Sequence, residues 1–267
     1  MELFFRQEGE GFPLVIVHGL YGSSDNWLTI GKKLSARFRV YMIDQRNHGQ
    51  SPHSEEHSYE RMKEDLAEFF HCQNIKKAIV LGHSMGGKTA MLFAADYPEK
   101  VKKLIVADIV PKDYFQMKDE SQYHLHNNIL LAMQEIDLTQ VASRSEVGDR
   151  LLEKIDNRHI VQFLLKNLHR NKKTHQFEWR LNVKALYENL DEIIKGVNER
   201  WFADRFPIFN YPVLFIKGGN SNYILEEDSS TIHTIYPDAR IITIPGAGHW
   251  LHAEQPELFL KAIEDFV

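Results

Sequence analysis

Ser84 stands at the centre of Gly82-His83-Ser84-Met85-Gly86, a glycine-x-serine-x-glycine spacing that turns sharply from strand to helix and presents the serine hydroxyl at its tip. The turn strains the backbone of the serine, so the positions two before and two after it must be small enough for strand and helix to approach each other. Glycine fills both. A hydroxyl is a poor nucleophile at neutral pH and needs a base, usually a histidine that is itself oriented by a carboxylate. Among the fourteen histidines, His249 is favoured because Gly246-Ala247-Gly248 brings it out of the last apolar run, just before the last helix-like one. His252 is the alternative, read as a packing residue of the helix start. The chemistry implied is acyl transfer to water, with attack by Ser84, an acyl-serine intermediate and its hydrolysis.

Such an intermediate carries an oxyanion that needs two main-chain donors. One comes from the residue after the nucleophile and the other from a loop after an early strand. Met85 and Leu20 fit these descriptions, Leu20 following His18-Gly19 directly after an apolar run. A helix beginning behind Ser84 would add the positive end of its dipole. Tyr21 and Trp250 flank the two loops and are candidates to line a substrate pocket, or simply to pack. Trp201, Phe202, Phe206 and Phe209 are read as packing under a lid, with a place in the roof of the pocket as the alternative.

These residues require a scaffold that returns them to one edge, and the pattern along the chain supplies it. Apolar runs at Leu14 to His18, Val40 to Asp44, Ala78 to Gly82, Leu104 to Asp108, Val213 to Lys217 and Arg240 to Ile244 read as strands. Helical spacing follows at Trp27 to Ala36, Tyr59 to Phe70, Lys88 to Tyr97, Glu226 to Tyr236 and Pro256 to Val267. Alternation of this kind predicts an α/β fold with a mostly parallel, doubly wound sheet. It stops between Pro111 and Asn210, where long helical stretches such as Leu151 to Leu168 and Val183 to Val197 predict an inserted helical cap. Residues 1–110 and 211–267 would then form the core and 111–210 the cap.

The 267 residues suffice for one such domain, and 43% hydrophobic with 26% charged is ordinary for a globular chain. A net charge of −5 without a long basic block argues against a nucleic-acid partner. No apolar run approaches a membrane span, and the first ten residues lack the flanks of a signal peptide, so a cytoplasmic protein is expected. The single cysteine, Cys72, excludes an intramolecular disulfide and is read as a buried small hydrophobe. His124 and His126 lie two apart with no ligand cluster beside them, so they are read as solvated cap residues and no metal or cofactor is expected. His48 and His83 are assigned loop-shaping hydrogen bonds.

Taken together, His18-Gly19-Leu20-Tyr21-Gly22-Ser23, the loop Asp44 to Ser51, the serine elbow with Gly87-Lys88 behind it, and Gly248-His249-Trp250 resemble the α/β-hydrolase superfamily. More narrowly, they resemble its small bacterial esterases of the YbfF type. The resemblance implies a cofactor-free esterase or thioesterase acting on a small-molecule substrate. It also exposes a departure: where the superfamily usually carries its acid, the chain reads Gly218-Gly219-Asn220-Ser221. Asp108, at the end of the next strand after the nucleophile, is the substitute expected, and the YbfF-type resemblance implies an acid after that earlier strand. Glu226, Glu227 and Asp228 remain alternatives. Carbon–carbon bond hydrolysis, and a non-catalytic binding module on the same scaffold, are the competing functions.

Overall fold

The computed structural model describes residues 1–114 and 121–267. In chain order the elements are β1 (Phe5–Glu8), β2 (Phe12–Val17), α1 (Leu28–Leu34), β3 (Phe38–Ile43), α2 (Tyr59–Cys72), β4 (Ala78–His83), α3 (Met85–Asp96) and β5 (Val101–Ala107). Next come α4 (Ser121–Glu135), α5 (Arg144–Leu152), α6 (Arg158–Leu165), β6 (Leu168–Arg170), β7 (Phe177–Trp179), α7 (Val183–Glu188) and α8 (Leu190–Lys195). The chain closes with β8 (Val213–Gly218), α9 (Asp228–Ile235), β9 (Arg240–Ile244), α10 (Leu251–Glu254) and α11 (Pro256–Glu264).

Alternate residues of each central strand feed opposite faces of one sheet. Val15, Val17, Val80, Val106 and Phe215 join the apolar cluster containing the buried residues of α2 and α3. Their neighbours Leu14, Ile16, Leu81, Ile105 and Leu214 join a second cluster built with Trp27, Ile30 and Leu34 on one side and Phe259 and Ile263 of α11 on the other. Both faces of these strands are dry, which is why they read as continuous apolar runs. The seven strands lie in the order β1-β3-β2-β4-β5-β8-β9, all parallel except β1. The short β1 escaped the sequence reading because Phe-Arg-Gln-Glu offers little apolar signal, and its burial falls away along its length.

Chain direction across the sheet reverses between β2 and β4, the crevice where open α/β sheets place ligands. Register fixes the rest. Val17 pairs with Gly82, His83 with Ala107, and Ala107 with Ile216. The loops after β2, β4, β5 and β8 therefore emerge side by side.

Between β5 and β8 the chain adds no strand to this sheet among the described residues. It makes α4 to α8 and a two-stranded hairpin of β6 and β7. The hairpin is hidden from sequence because each strand has three residues. The predicted stretch Leu151 to Leu168 is broken, since Asn157 accepts from the backbone N–H of His159 and Ile160 and so starts α6 afresh. Val183 to Val197 is divided at Asn189 into α7 and α8, where the Asn189 side chain turns its Nδ2 to the Glu55 and Ala185 carbonyls and caps neither helix start. One flank of this segment is fastened to the core by four amide contacts: Asn182 N–H to the Asn47 carbonyl, Asn182 Nδ2 to Asn47 Oδ1 and to the Ser54 carbonyl, and Asn189 Nδ2 to the Glu55 carbonyl.

Cys72 is exposed, not buried as expected. The inward face of α2 runs through Tyr59, Met62, Leu66, Phe69 and Phe70, and at helical spacing position 72 falls outside it. Among the described residues no helix is long and apolar enough to cross a membrane.

Candidate active site

The strand β4 ends at His83 and α3 begins at Met85, leaving Ser84 alone in the bend with φ 53° and ψ −122°. A left-handed φ on a serine costs on the order of 1–3 kcal/mol and persists only where surroundings enforce it. Here they do. A Cβ on Gly82 would collide with the Gly86 carbonyl, and one on Gly86 with the backbone of Val17 and His18. The Ser84 N–H is also pinned to the Ala107 carbonyl at 2.9 Å.

Three side chains form a line across the strand ends. His249 Nε2 lies 2.9 Å from Ser84 Oγ, and His249 Nδ1 lies 2.8 Å from Asp108 Oδ2. Asp108 is fully buried, with φ 51°, and its Oδ1 accepts from Gly218 N–H at 2.9 Å. Its Oδ2 accepts a further hydrogen bond from Ser221 Oγ. Ser221 therefore bonds to the carboxylate from the loop where an acid had been sought. Tyr223, two residues on, stacks its ring on His249 at 3.8 Å and 17°. No sequence motif had pointed to Tyr223, and only the folded loop brings it there.

The alternatives are engaged elsewhere. Asp228 bonds Lys112 Nζ and Leu225 N–H, each at 2.7 Å, while Glu226 and Glu227 are exposed. His252 is buried face to face on Trp27, 4.1 Å between rings, and its Nδ1 has no hydrogen-bond partner among the described residues. Burial pushes its pKa down to about 3, with the neighbouring His249 adding to the effect, so His252 stays neutral.

The other motif histidines hold loops in shape. Burial keeps His18 and His48 below their ordinary pKa. As neutral rings they each donate from Nδ1 to a carbonyl, of Gly19 and Arg46, and accept at Nε2 from the N–H of Gln45 and Tyr21. His83, also held down by burial, bonds the His249 carbonyl at 2.8 Å and so fixes the backbone of that loop. His126 departs from its expected solvated place. It faces the Tyr21 hydroxyl with Nδ1 at 3.2 Å, and burial lowers its pKa to about 4. His124 is exposed.

A cavity of about 230 Å³ opens above Ser84 and His249. Leu20, Tyr21, Met85 and Trp250 all line it, so every candidate site residue apart from the buried Asp108 meets there. Leu20 and Met85 donate their backbone N–H to no other described group, as the first positions of loop and helix allow. The remaining wall is mostly apolar and comes from both the core and the segment after β5, with Trp27 from one and Ile109, Ile129, Ile160 and Phe163 from the other. The aromatic cluster near residue 205 takes no part: Phe202 is buried against Tyr236, and Trp201, Phe206 and Phe209 are exposed. Among the described residues no group of three His, Cys, Asp or Glu side chains is placed to hold a metal ion.

Residues 13–256 match the family model described as alpha/beta hydrolase fold. Esterase YbfF of Escherichia coli is 34% identical over 96% of this chain and 92% of its own. The sn-1-specific diacylglycerol lipase ABHD11 of Mus musculus is 35% identical over 95% of this chain and 80% of its own. A solved structure described as a marine microorganism esterase superposes with a TM-score of 0.91, at 46% identity over 100% of this chain and 99% of the other.

Proposed function

The chain belongs to the α/β-hydrolase fold family, and on that premise we propose that it hydrolyses carboxylic esters or thioesters through an acyl-enzyme on Ser84. The esterase and lipase relatives support the reaction class. The observation that carries the residue assignment is the unbroken run of contacts from Ser84 Oγ through the His249 ring to Asp108, at 2.9 and 2.8 Å.

In this reading His249 Nε2 takes the Ser84 proton as the oxygen attacks the carbonyl carbon, and the backbone N–H groups of Leu20 and Met85 receive the oxyanion. The imidazolium then protonates the leaving alcohol or thiol. Water, deprotonated by the same nitrogen, releases the acid. Asp108 holds the ring in the tautomer with Nε2 free and stabilises its transient charge, as its burial and its two other carboxylate contacts permit. Of residues 111–210, the described part lines the cavity with Ile129, Ile160 and Phe163 and acts as a lid over the acyl portion. The reaction needs no metal or cofactor.

Labelling by a fluorophosphonate probe tests the reading. The native chain labels and the Ser84→Ala chain does not; a folded native chain that fails to label rules the mechanism out. Turnover of paired nitrophenyl esters and acyl-CoA thioesters, against the same control, decides between ester and thioester.

A further inference from the structure

Lys88 is the odd member of the cavity wall. It sits on α3 four residues past Ser84, about 6 Å along the helix axis, and is 2% exposed among mostly apolar neighbours. Burying an ammonium without a counter-ion is expensive, and among the described residues Lys88 forms no ion pair. Among those residues it has one hydrogen bond, to the Lys112 carbonyl at 3.0 Å, and the faces of Tyr114 and Tyr59 at 4.5 and 5.9 Å. Both phenol hydroxyls are turned to other acceptors, the Tyr223 and Ile193 carbonyls. Burial brings the amine's pKa down to about 7, with Asp113 acting through space in the opposite sense.

The surroundings are shaped to admit this amine. Gly196, at the C-terminal end of α8, has φ 62°, and a Cβ there would strike Lys88 Nζ. A lysine kept in a dry wall, given space by a left-handed glycine and left with one carbonyl acceptor, has donors to spare for an anion.

We propose that Lys88 is a substrate-binding residue that receives a carboxylate at the far end of the acyl chain, so that the preferred substrates are mono-esters of dicarboxylic acids. This rests on the acyl-serine reading, because the acyl part stays on Ser84 after the alcohol has left for solvent and is the part an enclosed wall can hold. A single ammonium in a mostly apolar cavity wall suits a carboxylate. A phosphate would call for more donors.

Two esters matched in length test this, 4-nitrophenyl hydrogen adipate and 4-nitrophenyl hexanoate. The native chain is expected to favour the adipate in kcat/KM by about tenfold or more. Lys88→Met should shift that ratio toward the hexanoate by on the order of 10²-fold, as removal of one partner of a buried charge pair does. A native preference for the hexanoate, or an unchanged ratio in folded Lys88→Met, overturns the proposal. Calorimetric binding of methyl hydrogen adipate and of methyl hexanoate to the Ser84→Ala chain with its lysine intact supplies a readout that needs neither turnover nor a folded Lys88 variant. Tighter adipate binding is expected, and equal binding overturns the subsite. Absent hydrolysis together with tighter adipate binding would instead strike the acyl-serine mechanism alone.

Discussion

The loops after β5 and β8 leave the same edge of the sheet on neighbouring strands, yet one carries a carboxylate and the other a hydroxyl. Asp108, at the first, is fully buried, while Ser221, at the second, donates to it. The pairing of Ala107 with Ile216 sets the two loops abreast, so the Ser221 hydroxyl meets Asp108 on the same carboxylate oxygen that faces His249 Nδ1. What the difference teaches is that the fold specifies a place for negative charge and leaves open which strand provides it. The cost falls on the backbone: Asp108 adopts φ 51°, a conformation few non-glycine residues hold.

The comparison breaks or sharpens with substitutions in the two loops. Asp108→Asn should lower kcat by about 10³- to 10⁴-fold with the fold retained, because an amide directed at Nδ1 favours the wrong tautomer; near-native turnover would remove Asp108 from the mechanism. Adding Ser221→Asp to that variant should restore about 10- to 10²-fold, since the charge returns from the neighbouring strand. Steady-state kinetics showing no recovery would mean that the two loops are not interchangeable. Ser221→Ala alone removes one hydrogen bond to a buried charge, worth about 1.5–3 kcal/mol, of which only the part felt by the transition state reaches the rate. About a tenfold loss in kcat is expected. Smallest is Tyr223→Phe, which deletes the hydroxyl bonded to Gln122 but keeps the ring on His249. A change within about twofold is expected because the hydroxyl is bonded away from His249 and touches no reacting atom; a much larger loss would place the hydroxyl in the chemistry.

Some of this was legible from residue order because it is local. The Ser84 elbow is a five-residue steric problem, and the alternation of apolar and helical runs is a direct image of strands covered on two faces. His249 and Asp108 could be proposed as strand-end residues of one parallel sheet, all of which point their exits the same way. Tyr223, His126 and Lys88 could not, since what marks them is company acquired on folding. His126 meets Tyr21 across 105 residues of chain, and nothing in its own helix foretells that contact. The segment after β5 was the least legible for the same reason: its helices are set by asparagine caps and packing against the core, so a long periodic stretch gave no warning of the breaks at Asn157 and Asn189.

The amide seam that ties Asn182 and Asn189 to the loop at residues 47–55 joins neutral groups throughout. Salt screens charges and leaves such bonds alone, whereas urea competes for peptide-like groups directly. Ionic strength should therefore leave this flank as it is, and urea below the main transition should release it. Amide hydrogen exchange at residues 183–195 would then rise while the strands at 78–83 and 101–107 stay protected, marking the flank as a unit that opens ahead of the sheet.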